Sequence, residues 1–387
     1  MERFRVAVPD ETLADLTDRL RRTRRPPEQT GPDGPPGGRP HEDGATVRRI
    51  GHLIERWRDG FDWRALEARI NTVPQYRVTV GGVGLHVLRV PGAGPEPLPL
   101  LLLNGWPSSF IEYLDVLRPL ADPAAHGGDP ADSFTVVVPA MPGYGFSDSG
   151  LDRQPTRMSI ARLFHSLMTE HLGHTRYVAH GDDIGGGVVN RLGLLAPPQL
   201  LALQTTNPIR PYLGDEADLS PPERAYAAGM RRWDDDHGAY AHVQATRPRT
   251  LAVALHDSPA GLATWILEKW LTWSDPATRG RLGDDELLGT VTLYWVTGSI
   301  GSANRLYTPA TAEPLAAGQR ITVPTSVLVP NEPDLPTPPE SWQRRAYADL
   351  RRHRKLSEGG HFLAAEAPDR FVAEVREAFR PYRTWPG

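Results

Sequence analysis

One short segment, residues 179–186, restricts the possible structures of this chain more than any other. It reads Ala-His-Gly-Asp-Asp-Ile-Gly-Gly and places small residues two positions before and two positions after an acidic residue. That spacing is typical of a nucleophile elbow, a sharp turn between a buried strand and a helix that exposes one reactive side chain. The apolar residues before it and the glycines after it favour the same strand-turn-helix interpretation.

Sterics decide which aspartate of the elbow is the candidate nucleophile. Asp183 has Gly181 and Gly185 at the two positions that must be small, whereas Asp182 has His180 and Ile184 there. We therefore predict Asp183 as the nucleophile. A carboxylate in this position attacks a saturated carbon and forms an alkyl ester on the protein, so epoxides and alkyl halides are the expected targets.

The rest of the chain alternates strand-like and helix-sized segments. Residues 76–80 and 85–90 alternate in polarity like a hairpin. Buried-strand patterns follow at 100–103, 134–138, 177–179, 201–204 and 326–329. This order predicts an α/β-hydrolase fold, with a mostly parallel sheet covered by helices on both faces.

Four regions are predicted from this pattern. Residues 1–75 form a helical extension, with helices near 8–24 and 46–58 and no regular structure over 25–45. Residues 76–208 and 319–387 form the two parts of the core. Residues 209–318, which are helical and rich in tryptophan, form a cap inserted between two core strands, called the cap segment below.

Composition excludes several classes of function. The formal charge of -4 and the absence of a basic, aromatic patch argue against a nucleic-acid partner. The chain has no cysteine, which excludes disulfides and thiolate metal sites. With no signal peptide and no run of about 20 apolar residues, a cytoplasmic protein without a membrane partner is expected. No cofactor and no metal are expected.

The elbow needs a base that hydrolyses the ester and an acid that orients the base. His361 is the candidate base, because it follows a diglycine and a short strand late in the chain. The loop after the strand at 326–329 contains Glu332 and Asp334, and either could be the acid. We favour Asp334.

Hydrolysis of the ester also creates an oxyanion, which backbone N-H groups must stabilise. The segment Asn104-Gly105-Trp106-Pro107 follows a predicted strand and is suited to this task. We predict the N-H groups of Trp106 and Ile184 as the pair of donors. The bond between Trp106 and Pro107 is predicted to be cis.

Several segments together resemble the microsomal-type epoxide hydrolases, which carry an N-terminal extension around an α/β-hydrolase core. The resemblance extends over nearly the whole chain. The segments that carry it are 4–10, 57–64, 104–107, 141–147 and 294–300, the last followed by Arg305-Leu306-Tyr307. By this resemblance, two cap tyrosines hold the epoxide oxygen and protonate it, and they fall on Tyr240 and Tyr307. The family's acid position, aligned through Trp342, falls on Asp334.

Three residues depart from the family pattern. Asn104 replaces a histidine, Asp182 replaces a glycine and Ile184 replaces a tryptophan. None of these changes removes a catalytic group. Asp182, however, places a second potential charge beside the nucleophile, and Ile184 changes one wall of the site.

The resemblance implies hydrolysis of a small-molecule epoxide by water to give a vicinal diol. Trp106, Trp265, Trp270 and Trp273 are candidate walls of a pocket for an aryl group. The arginine-rich composition suggests an actinobacterial enzyme. Within the family the chain is similar in length to the epoxide hydrolases of enediyne antibiotic pathways, and a homodimer is possible. Two alternatives stay open: a haloalkane dehalogenase with the same aspartate chemistry, and a non-catalytic binding module.

Overall fold

The computed structural model describes residues 1–25, 44–150, 155–214, 216–308 and 315–383. Most of the predicted irregular segment 25–45 lies outside these described residues. The nine strands of the described chain are β1 (Glu2–Arg3), β2 (Gln75–Val80), β3 (Val83–Val90), β4 (Leu98–Leu103), β5 (Phe134–Pro139), β6 (Tyr177–Gly181), β7 (Leu200–Thr205), β8 (Thr325–Val329) and β9 (Leu350–Lys355).

Helices connect and cover these strands. They are α1 (Asp10–Arg21), α2 (Gly44–Asp59), α3 (Trp63–Ile70), α4 (Leu114–Ala121), α5 (Arg157–Ser166), α6 (Asp183–Leu195), α7 (Pro221–His237), α8 (Ala239–Thr246), α9 (Pro248–Asp257), α10 (Pro259–Trp273), α11 (Asp284–Thr297), α12 (Ile300–Asn304), α13 (Glu340–Ala346), α14 (Leu363–Glu366) and α15 (Pro368–Phe379). Short 3-10 helices include Phe110–Tyr113 and Arg305–Tyr307.

All nine strands form one sheet in the order β1-β2-β3-β5-β4-β6-β7-β8-β9. The pairs from β5 to β9 are parallel, and β1, β2 and β3 add an antiparallel edge. The α/β-hydrolase fold predicted from the alternation of strands and helices is confirmed. Each predicted strand lies within an observed strand.

The central strands are apolar on both faces because helices cover both. In β4, Leu101 and Leu103 face one hydrophobic cluster and Leu100 and Leu102 face the other, and all four are fully buried. The first cluster includes residues of α1, α2, α6, α10 and α11, and the second includes residues of α3, α4 and α15. The sheet is therefore the middle layer of three.

The strand order changes direction at β4, and this fixes the location of the site. From β4 the chain continues to β5 on one side of it and then to β6 on the other. The loops that leave the carboxyl ends of β4 and β6 consequently diverge and leave a crevice between them, the usual ligand position in open α/β sheets. The Gly105–Trp106 loop and the elbow at Asp183 meet there.

Between β7 and β8, the described residues are helical, from α7 to the 3-10 helix Arg305–Tyr307. Capping explains two of the helix starts: the Glu223 side chain accepts from Ser220 N at the start of α7, and the Ser258 side chain accepts from Gly261 N at the start of α10. The division of the chain at residues 75, 208 and 318 stays a prediction. No helix of the described residues is long and apolar enough to cross a membrane.

The N-terminal helices hold the cap segment against the core. In the buried contact, the Trp57 indole N-H donates to Thr292 Oγ1 of α11 at 2.9 Å. At the surface, Arg19 pairs with Asp257 at 2.9 Å and Arg56 pairs with Asp285 at 2.7 Å. The exposed pairs contribute little, so most of this attachment comes from buried residues such as Trp57.

Replacement of Trp57 by alanine is expected to lower the free energy of unfolding by about 3–5 kcal/mol, because it removes a large buried ring and the bond from the indole N-H to Thr292 Oγ1. Chemical denaturation measures the change. Arg25→Ala, which breaks only the exposed pair with Glu55, is the control and should change it by less than about 1 kcal/mol. A Trp57 variant as stable as the parent would show that this contact does not anchor the cap segment.

Candidate active site

The elbow has the geometry that its glycines predict. Strand β6 ends at Gly181, α6 begins at Asp183, and Asp183 has a φ angle of 47°, in the left-handed region. A methyl group at Gly181 would lie 2.4 Å from the carbonyl oxygen of Gly185, and one at Gly185 would lie 2.2 Å from that of Leu103. Only glycine fits at either position, so the steric choice of Asp183 over Asp182 agrees with the structure.

The loop after β4 places a donor on the Asp183 carboxylate. Trp106 N donates to Asp183 Oδ1 at 2.9 Å, and the Trp106–Pro107 peptide is cis, as predicted. A methyl group at Gly105 would lie 2.2 Å from Asp183 Oδ1 and 2.6 Å from Ile184 N. The Ile184 N-H, in the unpaired first turn of α6, therefore lies close to the same carboxylate oxygen.

His361 reaches the other oxygen of the carboxylate. Its Nε2 lies 3.9 Å from Asp183 Oδ2, and its backbone N-H donates to Trp273 O at 3.1 Å. The His361 and Asp183 side chains are 17% and 16% exposed, which leaves room for a small molecule to approach them. The structure brings together the two residues predicted as nucleophile and base, although 178 positions separate them in the sequence.

The acid beside His361 is Glu332, and the choice of Asp334 was wrong for this geometry. His361 Nδ1 lies 2.8 Å from Glu332 Oε2, and Glu332 is buried. Asp334 is exposed and has a φ angle of 60°. The physical reason is the path of the loop. Asn331 N donates to Gly359 O, and this bond places the next residue, Glu332, with its side chain towards His361. The turn that follows carries Asp334 outwards to the solvent.

The carboxylates around His361 control its charge. Burial lowers the pKa of His361, but the charge and hydrogen bond of Glu332 and the charge of Asp183 outweigh burial and raise the pKa to about 9. The imidazole is therefore protonated at neutral pH in the free protein. Since its ordinary pKa is 6.5, this group stabilises the folded state fully below pH 6.5, and the contribution is lost as the pH rises through about 9.

The two predicted cap tyrosines lie together over the Trp106 indole. Trp106 stacks on Tyr240 with ring centroids 5.4 Å apart, and Tyr307 meets the same indole edge-on at 5.7 Å. The two phenol rings are 5.8 Å apart. Burial, followed by the charge of Asp183, raises the pKa of Tyr240, and burial raises the pKa of Tyr307 well above its ordinary value. Both phenols therefore keep their protons and can donate them.

Trp106, Tyr240 and Tyr307, called the aromatic wall below, are joined by two residues of α10. Trp273 lies 5.1 Å from the ring centroid of Tyr240 and 4.8 Å from that of His361. Lys269 Nζ lies 4.6 Å from the ring centroid of Tyr240. Sequence reasoning did not assign Lys269 to the site; its rarity, as one of two lysines in the chain, was the available signal. The Trp265 indole instead donates to Gln244, and Trp270 stacks on Phe362.

Asp182 does not add a free charge beside the nucleophile. Its carboxylate turns away into the interior and accepts bonds from His180 Nε2, Thr206 Oγ1 and Tyr113 OH, each at 2.9 Å. The other ring nitrogen of His180 lies 2.9 Å from Gln204 Oε1, so both ring nitrogens are held by side-chain oxygens. Burial raises the pKa of Asp182, but the charge and bond of His180 and the two hydroxyl bonds outweigh it and lower the pKa.

These features define an enzyme site of the α/β-hydrolase class with an aspartate in the nucleophile position. In the described residues, no cluster of three or more His, Asp or Glu side chains could hold a metal ion.

The chain matches two family models. "Epoxide hydrolase N terminus" covers residues 1–113, and "alpha/beta hydrolase fold" covers residues 99–368.

Individual relatives agree with these models. A Stigmatella aurantiaca protein provisionally named an epoxide hydrolase is 37% identical, over 98% of this chain and 85% of that protein. Epoxide hydrolase 1 of Sus scrofa is 30% identical over 97% of this chain and 87% of that protein. The structure of Aspergillus niger epoxide hydrolase superimposes with a TM-score of 0.82 at 30% identity, covering 98% of this chain and 96% of that one. The chain belongs to the epoxide hydrolase family.

The pairing of His361 with Glu332 can be tested through the titration of the ring. In Glu332→Gln, the pKa of His361 is expected to fall, because the charge and the charge-assisted bond that raise it are lost. Nuclear magnetic resonance of the imidazole measures the value. Asp334→Asn is the matched control and should leave the pKa of His361 nearly unchanged. If the pKa of His361 fell in Asp334→Asn and stayed unchanged in Glu332→Gln, Asp334 would be the partner of His361.

Proposed function

We propose that this protein converts an epoxide to a vicinal diol in two steps, through an alkyl ester on Asp183. One observation carries the proposal. The Asp183 carboxylate, held at one oxygen by Trp106 N, lies beneath an aromatic wall from which two phenols, Tyr240 and Tyr307, supply O-H donors. A carboxylate and two O-H donors are the groups that opening of a three-membered cyclic ether requires.

In the first step, Asp183 Oδ2 attacks one carbon of the epoxide. A new bond forms between that oxygen and the carbon, and the bond between the carbon and the epoxide oxygen breaks. Tyr240 and Tyr307 hold the oxygen, and one of them gives it a proton as the alkoxide develops. Because burial and Asp183 keep both phenols protonated, the donors are ready over the whole neutral range.

In the second step, the change of charge on Asp183 makes His361 a base. The ester is neutral, so the part of the raised pKa of His361 that comes from Asp183 disappears once the ester forms. His361 gives up its proton, which returns to the phenolate left by the first step. Oriented by Glu332, it then takes a proton from water, whose oxygen attacks the ester carbonyl. The N-H groups of Trp106 and Ile184 stabilise the oxyanion; its collapse breaks the bond between the carbonyl carbon and the diol oxygen, which takes the remaining proton of the added water, and leaves the free carboxylate and protonated His361.

The walls of the site favour an aryl epoxide as the substrate class. Trp106, Trp273 and Tyr240 present three ring surfaces within 6.3 Å of one another, where an aryl group could stack. Membership of an enediyne antibiotic pathway is part of the proposal and rests on composition and chain length. A cytoplasmic location and a homodimer are also part of the proposal. Light scattering of the purified protein tests the homodimer.

A haloalkane dehalogenase uses the same aspartate chemistry but needs side-chain N-H donors for the departing halide. The Asn104 amide donates to Gly105 O at 3.1 Å, so one of its two N-H groups is already bonded. The Trp106 indole N-H is buried with no partner among the described residues, but the paired phenols of Tyr240 and Tyr307 suit an alkoxide better than a halide. Epoxide opening is therefore favoured over halide release.

The covalent step is tested by Asp183→Asn, which should lower diol formation by at least about a thousandfold because an amide is a poor nucleophile. Circular dichroism of the variant checks that the fold is retained.

In the parent, a single turnover in heavy-oxygen water should label Asp183 before the diol, and mass spectrometry locates the label. Label that enters the diol directly would rule out the ester.

The roles of the phenols are tested by Tyr240→Phe and Tyr307→Phe, each of which should slow ester formation by about ten to a thousandfold, because one O-H donor to the alkoxide is lost. Stopped-flow measurement of tryptophan fluorescence follows this step. Tyr226→Phe is the matched control: this cap-segment tyrosine packs on Trp342, outside the site, and should have little effect. Equal effects of all three substitutions would argue against specific roles for Tyr240 and Tyr307.

A further inference from the structure

Glu112 is a buried carboxyl that the two-step reaction does not use. It lies in the 3-10 helix Phe110–Tyr113, soon after the Trp106 loop, and is 3% exposed. Its Oε2 bonds to the Ser108 hydroxyl, and its Oε1 is buried with no hydrogen-bond partner among the described residues. A buried carboxylate with so few partners is costly, whereas the neutral acid is much less so.

The hydrogen bonds of Ser108 give independent support for a neutral Glu112. Ser108 Oγ lies within hydrogen-bond reach of two acceptors, Glu112 Oε2 and the carbonyl oxygen of Ser109, the latter at 3.3 Å. A hydroxyl has one proton and cannot donate to both. A protonated Glu112 removes the conflict, because it donates to Ser108 Oγ and leaves the Ser108 proton for the Ser109 carbonyl.

The groups that face Glu112 act in the same direction. Burial raises the pKa of Glu112, and so do the charges of Asp182 at the start of α6 and Glu286 on α11. The bond from Ser108 and the charge of His361 lower it, and the net shift is well upward. Its neighbour Tyr113 is a phenol whose pKa is also raised, by burial first, so it stays neutral and adds no charge beside Glu112.

Through these bonds Glu112 connects the two halves of the elbow region. Ser108, its partner, belongs to the loop of Trp106, and the Ser108 carbonyl accepts from Tyr294 OH at 3.0 Å. Tyr113, in the same 3-10 helix as Glu112, donates to Asp182 Oδ2 at 2.9 Å. A shift of this short helix would therefore move the Trp106 N-H relative to Asp183.

We propose that Glu112 is a positioning residue: as a neutral acid it donates to Ser108 and holds the Trp106 loop so that the Trp106 N-H meets the oxyanion on Asp183. This inference rests on the proposed two-step reaction. Because the oxyanion forms only when the ester is hydrolysed, loss of Glu112 should slow the second step much more than the first.

Two substitutions separate this role from others. Glu112→Gln is neutral and can still donate to Ser108, so it should retain most of the parent's rate of ester hydrolysis and keep it at higher pH, where Glu112 itself ionises. Glu112→Leu has no donor and should hydrolyse the ester at least about tenfold more slowly, with ester formation nearly unchanged. Rapid quenching and mass spectrometry of the intact protein measure both steps against pH.

Ser108→Ala removes the same link without altering the carboxyl and should slow ester hydrolysis as Glu112→Leu does, so it decides the question if the leucine variant does not fold. Glu286→Gln is the matched control, since Glu286 lies on α11 outside the proposed reaction and burial raises its pKa to about 7. It should leave the rates of both steps at neutral pH as in the parent, and the lost charge should only move the ionisation of Glu112 to a lower pH.

Three outcomes would overturn the role of Glu112: a leucine variant that hydrolyses the ester as fast as the parent, a glutamine variant as slow as the leucine variant, or slowing confined to ester formation. Failure of the two-step reaction looks different. His361→Gln should accumulate the ester if that reaction operates, and a His361 variant that turns over epoxide without any ester would exclude it, whatever the Glu112 variants do.

Discussion

The close approach of three backbone segments at the elbow is the constraint on which the rest of the site depends. The end of β6, the start of α6 and the loop after β4 meet with no space for a β-carbon at Gly105, Gly181 or Gly185. This contact holds Asp183 in the left-handed region, with its carboxylate on the Trp106 N-H. Strain of this kind persists only where the surrounding structure fixes it, and here a well-packed central sheet does so.

The second requirement is a balance of charge in a largely buried space. His180 and two hydroxyls bond to Asp182, and His361 lies between Glu332 and Asp183. These contacts stabilise carboxylates that burial would otherwise force to take up protons. In the proposed reaction, alkylation of Asp183 changes this balance at the moment when a base is needed, and so alters the proton affinity of His361.

Much of the fold follows from local pattern. The continuous leucines of β4 can only be a strand buried on both faces, and the glycines around Asp183 allow few alternatives to the elbow. The cap segment and the N-terminal helices are predictable as helices, but their mutual contact is not, because the bond from Trp57 to Thr292 joins residues that no local pattern relates. The β1 strand of two residues was too short to predict.

The sequence by itself predicted the groups that the proposed reaction uses: an aspartate at an elbow, a late histidine, a donor loop after β4 and two cap tyrosines. Spacing and residue type predict the elbow because it is a local structure, whereas the tyrosines were predicted from family resemblance alone. Only the tertiary structure decided that Glu332, and not Asp334, faces His361, and that Asp182 turns inward to His180. Both depend on where a side chain points, which loop path and packing against distant elements fix and which sequence order does not encode locally.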